Sequence, residues 1–499
     1  MTNAESNETP HTKGVRLEIH ESRPEHPEEM LQPLYRESDR PLARALIQPA
    51  RRFAHTETSG GFVLLAAAIL ALILANSPLH EAYEHFIHMP ILIGDPNGFH
   101  IELGFTHWIN DLAMAVFFFV AGMEIKRELV HGDLRDPRRA MLPILAAVGG
   151  MAVPALIYYF FNMNNPETAH GWGIPMATDI AFAVGVLALV GKRAPAGLRT
   201  FLLTLAIVDD IGGILVIAFV YTSSLNLPAL GLAALIIVVI LGAKQAKIQW
   251  FPLYFILAAC LWVAVFESGV HATIAGVILG LLTPAWPFQP PEAVTGVISQ
   301  RLKSLLSRAP NGQADEEEQT ELYDIHELSL HGVSPLHRLE NVLHGWSAFV
   351  VLPLFALVNA GIELSGDALG RIFHDSVGIG IFLGLVLGKP LGVMLFSFIA
   401  TKFLGASLPR GCGWLEMSGV GLLAGVGFTV AIFIAGLGLE NPADIDAAKL
   451  SILLASLTAG IIGYAFLVFR DGSHTYRRGA KSDNGDEPQL EGEAVVTHH

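Results

Sequence analysis

Charged residues are scarce in this sequence. Asp, Glu, Lys and Arg make up 15% of its 499 residues and hydrophobic residues make up 52%, whereas about a quarter of a soluble globular chain is charged. Cysteine is nearly absent, and the two copies, Cys260 and Cys412, lack the spacing of a metal site or a disulfide framework. The composition therefore argues against an ordinary soluble domain.

Long apolar runs recur from Gly60 to Leu467. Runs of about 18 or more apolar residues can cross a bilayer as helices, so the pattern predicts an all-α polytopic membrane protein. A membrane β-barrel fits poorly, since its strands are about 10 residues of alternating polarity. We count about twelve transmembrane helices, at 59–77, 107–130, 140–161, 173–190, 198–221, 226–243, 250–266, 269–285, 338–362, 376–401, 414–438 and 447–469.

Lys and Arg are almost absent from every second loop between these spans. They are missing from 78–106, 162–172, 222–225, 267–268 and 439–446, and 363–375 has only Arg371. The Lys and Arg residues lie in the remaining loops and in the segments that flank the first and last spans. Short positive loops face the cytoplasm, so the alternation predicts that both termini are cytoplasmic. It is also consistent with twelve spans, since a missed or false span would break the alternation.

The polar parts of the chain fall outside the spans. We expect a polar cytoplasmic extension at 1–58 without a signal peptide, a transport domain at 59–470 with a long cytoplasmic loop at 286–337, and a disordered cytoplasmic tail at 471–499. Much of the net charge of −15 lies near Asp315–Glu318 and in the tail. Such charge runs are usually solvated and imply no cationic partner. We also predict no nucleic-acid partner.

The first loop contains the sequence ILIGDPNGFHIEL, from Ile91 to Leu103. Its alternating flanks surround the turn-forming residues Asp-Pro-Asn-Gly. This pattern predicts a small outer β-hairpin.

Ionisable residues lie deep inside three spans. At about 1.5 Å rise per residue, Asp209 and Asp210 are roughly 16–18 Å into span five, near the midplane. Lys389 lies at a similar depth in span ten, and Asp179 is shallower in span four. Ionisable groups at membrane depth are costly and usually face a partner or a cavity.

A static salt bridge is one explanation of these residues, but a single lysine does not account for three carboxylates. Adjacent residues on a helix point about 100° apart, so Asp209 and Asp210 cannot share one partner well. Partly dehydrated acids and bases exchange protons near neutral pH, and carboxylate oxygens are hard ligands that suit small alkali cations. The cluster therefore predicts a site that exchanges protons for a small cation.

Spans four and eleven contain residues that interrupt helices. Span four begins GWGIPMATD and span eleven reads GVGLLAGVGFTVAIF. The chain crosses the membrane in opposite directions in these two spans, so spans 3–5 and 10–12 are predicted to be inverted repeats. Interrupted helices in such positions indicate the site of a secondary transporter, although glycine-rich spans are also explained by close helix packing.

Five motifs resemble the NhaA family of bacterial sodium/proton antiporters. They are NDLAMAVFFFVAGMEIKREL, ATDIAFAVGVLALVG, LAIVDDIGG, SGVHATIAGVILG and LGKPLGV, and the resemblance runs from about Ser59 to Phe469. NhaA proteins are themselves among the known inverted-repeat transporters, so the interrupted spans do not support the resemblance independently. The chain differs from the family pattern at Asn341 and Gly345 and in its longer loop at 286–337.

The resemblance implies roles for particular residues. Asp210 is similar to the principal sodium-binding carboxylate of the family, and Asp209 to the acid that pairs with Lys389 and exchanges protons. Thr178 and Asp179 match site residues on the interrupted fourth span. A further set matches positions linked to the pH response: Asp111, Glu124, Lys126, Arg127, Glu128, His271, Glu340 and His344.

The resemblance also implies what the protein does and where. It implies electrogenic, pH-regulated exchange of intracellular Na⁺ or Li⁺ for external H⁺, serving sodium and pH homeostasis from the bacterial inner membrane. We expect no cofactor and no enzymatic activity, and a homodimer joined partly through the outer hairpin.

Two other functions remain open from the sequence. An intramembrane aspartyl protease also needs two buried Asp residues, but no span has its Tyr-Asp or Gly-x-Gly-Asp pattern, and Lys389 would be unexplained. A proton-coupled carrier of organic solutes would favour an aromatic lining, whereas the core spans contain mostly small aliphatic residues.

Overall fold

The computed structural model describes residues 59–94, 100–222, 225–308, 316–364 and 374–470. The predictions for 1–58 and 471–499 lie outside these residues. Within the described ranges the chain forms seventeen helices and one two-stranded sheet. In chain order the helices are α1 Ser59–Ala75, α2 His80–Ile87, α3 Phe105–Val130, α4 Pro137–Asn162, α5 Pro166–Met176, α6 Ile180–Val190, α7 Ala196–Val220, α8 Leu227–Gln245, α9 Phe251–Glu267, α10 Thr273–Leu282, α11 Pro291–Arg308, α12 Glu316–His331, α13 Pro335–Asn359, α14 Ser376–Phe403, α15 Trp414–Ala424, α16 Phe428–Gly438 and α17 Pro442–Arg470.

Seven of these helices, α3, α4, α7, α8, α13, α14 and α17, are long and apolar enough to cross a bilayer. Three bent pairs also qualify when each is counted as one span: α1 with α2, α5 with α6, and α15 with α16. Helices α9 and α10 are apolar but shorter. The structure therefore confirms a polytopic helical membrane protein with seven to ten candidate spans.

Two of the bends fall where the sequence predicts interruptions. Helices α5 and α6 meet at 41° and α15 and α16 at 48°. The α5 segment His170–Met176 is wound as a tight 3₁₀ helix that contains Pro175, and proline lacks the N–H needed to continue an α-helix. Both breaks lie between apolar helical segments.

The hairpin predicted in the first loop is present. Strands β1 (Pro90–Gly94) and β2 (His100–Gly104) pair antiparallel, with Leu92 opposite Glu102. The Trp108 indole, at the start of α3, donates a hydrogen bond of 3.1 Å to the Ile91 carbonyl. This bond ties the hairpin to the helix that follows it. The predicted turn lies outside the described residues.

Residues 286–337 contain two helices to which the sequence analysis gave no secondary structure. Helices α11 and α12 form an antiparallel pair in which Val294 and Leu305 are buried. Arg301 and Asp324 form an ion pair of 3.1 Å between them. The sequence does not reveal this pair because its polarity resembles that of a loop between transmembrane runs.

Helices α4 and α14 pack closely through glycine. A Cβ atom added at Gly392 would overlap the Gly149 backbone, so only glycine permits this approach of the two backbones. Close packing at small residues is a principal means of association between transmembrane helices. The contact fixes α14, and therefore Lys389, against α4.

We predict that Gly392→Ala destabilises the protein. The added methyl group meets backbone rather than a flexible side chain, and overpacking of this kind costs about 1–3 kcal/mol. Thermal unfolding of the purified protein in detergent should show a lower midpoint. Gly231→Ala on α8 is the matched control, because nothing lies within 4 Å of its added Cβ; equal midpoints for the two variants would contradict the prediction.

Candidate functional site

The two helix breaks cross each other in the interior of the structure. Between α5 and α6, Ala177 and Asp179 have extended backbone. The Asp179 amide donates a hydrogen bond of 2.7 Å to the Val426 carbonyl in the other break. The Thr178 hydroxyl donates one of 2.9 Å to the Ala424 carbonyl, the last residue of α15. These bonds satisfy backbone groups that neither broken helix can satisfy alone.

Asp179 joins the N-termini of two half-helices. Its Oδ1 accepts a hydrogen bond of 3.0 Å from the Phe182 amide of α6. Its Oδ2 accepts from the Thr429 amide of α16 at 3.2 Å and from the Thr429 hydroxyl at 2.6 Å. Helix N-termini carry partial positive charge, so this buried carboxylate offsets both of them.

Asp209 forms a fully buried ion pair with Lys389. The Lys389 ammonium lies 2.5 Å from Asp209 Oδ2, and both side chains have no exposed surface. The same oxygen lies 2.7 Å from the Thr178 hydroxyl oxygen, whose single proton is shared between Asp209 and the Ala424 carbonyl. Lys389 also donates to the Met176 carbonyl at the C-terminal end of α5, where partial negative charge accumulates.

Asp210 has a different environment from its neighbour. Its side chain is 7% exposed, and within the described residues its carboxylate has no hydrogen-bond or ion-pair partner. The charged groups that act on it electrostatically are Asp209, Glu124, Asp179 and Lys389. Lys389 and Thr178 contact only Oδ2 of Asp209, whereas neither oxygen of Asp210 has a partner within the described residues.

The crossing offers a small set of hard oxygen atoms next to a buried base. Asp209 Oδ1 is buried without a partner in the described part of the chain, and the Asp210 carboxylate is open as well. Carboxylate and hydroxyl oxygens suit small alkali cations. The same atoms can take up protons, so a cation and protons would compete for them.

A second charged cluster links α3 and α13. Arg127 forms an ion pair with Glu340, which is 6% exposed. The His344 ring nitrogen Nδ1 lies 3.7 Å from Glu124 Oε1. Glu128 adjoins the cluster, with Oε1 3.9 Å from the Arg127 Nε. The structure thus brings together five of the eight residues predicted for the pH response.

The other three residues of that set form no hydrogen bond or ion pair with this cluster in the described part of the chain. Asp111 lies on the π-helical turn Ile109–Ala113 of α3, with His107 as its charged neighbour. His271 Nε2 is 2.8 Å from the carbonyl oxygen of Tyr221, next to α7. Lys126 has Lys244 of α8 as an electrostatic neighbour.

Sequence reasoning missed two hydroxyl residues at the crossing. Thr429 binds Asp179, and the Ser456 hydroxyl accepts hydrogen bonds from the first amides of α16. The predicted inverted repeat could have indicated Thr429, because it lies at the start of the second half-helix of span eleven, as Asp179 does in span four. Nothing in the local sequence distinguishes Ser456 from the other hydroxyl residues of α17.

Comparisons with known proteins show which proteins this chain is similar to. A family model described as Na⁺/H⁺ antiporter 1 matches residues 51–467. The Na⁺/H⁺ antiporter NhaA 2 of Sorangium cellulosum is 43% identical over 426 residues, which cover 85% of this chain and 91% of that protein. The NhaA antiporters of Shewanella loihica and Salmonella arizonae are each 42% identical, over 84% of this chain and 96% and 97% of their own lengths.

Proposed function

Because this chain belongs to the NhaA family of Na⁺/H⁺ antiporters, multi-pass membrane transporters that exchange sodium for protons, we propose that its exchange site is the crossing of the broken helices. The observation that carries the proposal is the contrast between two adjacent buried carboxylates. Asp209 is paired with Lys389, whereas Asp210 has no partner in the described part of the chain.

Asp210 is the main ligand of the transported cation, Na⁺ or Li⁺. Asp209 and Thr178 supply further oxygens when the cation enters, and Asp179 keeps the half-helix N-termini from repelling it. The support is geometric: Thr178 already contacts Asp209, and Asp179 accepts from amides of both α6 and α16. No group other than the chain's own side chains and backbone is required.

Protons leave from Asp210 and from the Asp209–Lys389 pair when the cation binds. A cation near Asp209 competes with the Lys389 ammonium for the same oxygen, and the released lysine can give up its proton. More than one proton then leaves for each cation, and transport is electrogenic. The inward proton gradient drives Na⁺ out of the cell, for sodium and pH homeostasis.

The site assignment is tested in inverted membrane vesicles. Na⁺ is added to vesicles acidified inside, and a pH-sensitive dye reports proton movement. If variants of Asp210 and Asp209 restore the dye signal as the wild type does, the exchange site lies elsewhere.

The cluster on α3 and α13 makes exchange dependent on pH. Glu124 contacts His344 and also acts electrostatically on Asp210, so it connects the cluster to the cation site. Glu340, with Arg127, holds the two helices together at this point. Lys126, Glu128, Asp111 and His271 belong to the proposed pH-responsive set through the family resemblance.

We expect Glu124→Gln to raise the Na⁺ KM and to change the pH dependence of exchange. The substitution removes a negative charge that favours a cation at Asp210 and breaks the ion pair with His344. The expected rise in KM is about threefold to tenfold, as for loss of one partly screened charge interaction. Glu292→Gln, at an exposed position on α11, is the control; identical KM values and pH profiles for the two variants would refute the proposed link.

The chain crosses the bacterial inner membrane twelve times, with both termini in the cytoplasm. This number results when the short helices α9 and α10 are counted as spans beside the ten candidates. Spans 3–5 and 10–12 are then inverted repeats. The domain spans 59–470, with the helical pair α11–α12 on the cytoplasmic side, and two copies associate partly through the hairpin.

A labelling experiment tests this orientation. Cys412, in the loop after α14, should react with a membrane-impermeant maleimide in inverted vesicles but not in right-side-out vesicles, because the alternation of Lys and Arg predicts a cytoplasmic position for that loop. A cysteine introduced as Glu440→Cys, at an exposed position after α16, should show the opposite pattern in a Cys412→Ser background. Labelling of both positions from the same side would contradict the topology.

A further inference from the structure

A serine hydroxyl of α17 forms hydrogen bonds with the N-terminus of α16. The Ser456 Oγ accepts hydrogen bonds from the Gly427 amide at 3.2 Å and from the Phe428 amide at 3.1 Å. Ser456 is 4% exposed. The first amides of a helix have no partner within the helix, and the hydrocarbon core of a bilayer supplies no water to replace that partner. Ser456 therefore caps a half-helix that begins inside the protein.

Ser456 and Asp179 divide this N-terminus between them. The amides of Gly427 and Phe428 bind Ser456, and the amide of Thr429 binds Asp179. Because the serine accepts two of these three bonds, Asp179 keeps its Oδ1 for the Phe182 amide of α6. One neutral acceptor and one charged acceptor thus hold the two half-helices.

The capped segment is connected to the cation site by a short chain of hydrogen bonds. Gly427 follows Val426, whose carbonyl accepts from the Asp179 amide. Two residues earlier, the Ala424 carbonyl accepts from the Thr178 hydroxyl, which lies 2.7 Å from Asp209. A displacement of the α16 N-terminus would therefore move the partners of Thr178 and Asp179.

We propose that Ser456 is a positioning residue for cation binding. Its hydroxyl oxygen fixes the N-terminus of α16 and offsets part of its positive end, so that Thr178, Asp179 and Asp209 keep their arrangement. The proposal rests on the proposed exchange site, and it gives α17, which carries none of the predicted site residues, a part in binding. Ser456 itself contacts the half-helix and not the cation.

The test compares Ser456→Ala with Ser451→Ala in vesicles. Ser451 lies on the same helix with 0% exposure, and its Oγ has no hydrogen-bond partner in the described part of the chain. Ser456→Ala is expected to raise the Na⁺ KM about tenfold with a maximal rate within about twofold of wild type, since an uncompensated helix N-terminus repels the bound cation. Ser451→Ala is expected to leave the KM unchanged.

Two further variants separate positioning from folding. Ser456→Thr keeps the hydroxyl and is expected to keep a wild-type KM. Ser456→Cys has the same branching as serine but a weak acceptor, so its KM should lie between those of the wild type and Ser456→Ala. This variant tests the positioning role if Ser456→Ala does not fold. Equal KM values for the Ser456→Ala and Ser451→Ala variants, or an unchanged KM in Ser456→Cys, would overturn the inference.

A parallel measurement on Asp210→Asn keeps the two proposals distinguishable. If this variant loses Na⁺-dependent exchange while the KM of Ser456→Ala is normal, the exchange site stands and the role of Ser456 is rejected. If Asp210→Asn exchanges normally while the KM of Ser456→Ala is raised, the assignment of Asp210 is wrong and the effect of the serine cap is retained.

Discussion

Exchange of Na⁺ for protons is expected to fall below detection when Asp210 is replaced by Asn. The substitution keeps the shape of the side chain but removes the charge of the carboxylate and the proton that we propose it exchanges. Asp210 has no partner within the described residues, so its loss leaves no ion pair broken and the fold should persist. The expected loss is at least about a hundredfold in rate at any Na⁺ concentration, equivalent to about 2.7 kcal/mol.

The measurement is dye dequenching in inverted vesicles at several Na⁺ concentrations, with the amount of folded protein determined by size-exclusion chromatography. Asp324→Asn is the matched control, because the same substitution there removes a surface ion pair with Arg301 outside the proposed site. Wild-type dequenching by Asp210→Asn would refute the assignment of Asp210.

The largest expected effect on stability comes from Lys389→Met. The substitution leaves the Asp209 carboxylate and the Met176 carbonyl without their buried donor. Removing one partner of a buried ion pair costs about 3–5 kcal/mol because it leaves an uncompensated buried charge, and no such charge is left when both partners are replaced. The double variant Asp209→Asn with Lys389→Met should therefore be more stable than Lys389→Met alone.

The test is a double-mutant cycle, measured by thermal unfolding in detergent. The wild type, each single variant and the double variant are compared at one pH and one Na⁺ concentration, because bound cations stabilise the folded state. A coupling of at least about 1 kcal/mol is expected for groups in direct contact. If the two single effects simply add, the ion pair contributes no coupling and the proposed competition at Asp209 loses its basis.

Some features of the site could be predicted because the sequence alone carries their physical cause. Glycine and proline interrupt the fourth span directly before Asp179, and the structure bends by 41° there. The hairpin is predictable from the turn residues and the alternating flanks on either side of them. Charge at membrane depth indicated the region of Asp209, Asp210 and Lys389 without any knowledge of the packing.

Other features could not be predicted because they depend on contacts between distant segments. Thr429 and Asp179 are 250 residues apart in the chain, and Lys389 and Asp209 are 180 apart. Their hydrogen bonds exist only because α4 and α14 pack through glycine and two broken helices cross. Ser456 is indistinguishable in sequence from Ser451, yet only Ser456 faces the α16 N-terminus. Helices α11 and α12 were missed because their polarity resembles that of a loop.

The most direct test of the account is the number of protons that purified protein releases when it binds Na⁺. Titration calorimetry in buffers of different ionisation enthalpy gives this number at each pH, for the wild type and for Asp210→Asn. We predict that the wild type releases more than one proton per Na⁺ and that Asp210→Asn neither binds Na⁺ nor releases protons. Sodium binding without proton release, or equal release by both proteins, would contradict the claim that a cation and protons compete at the helix crossing.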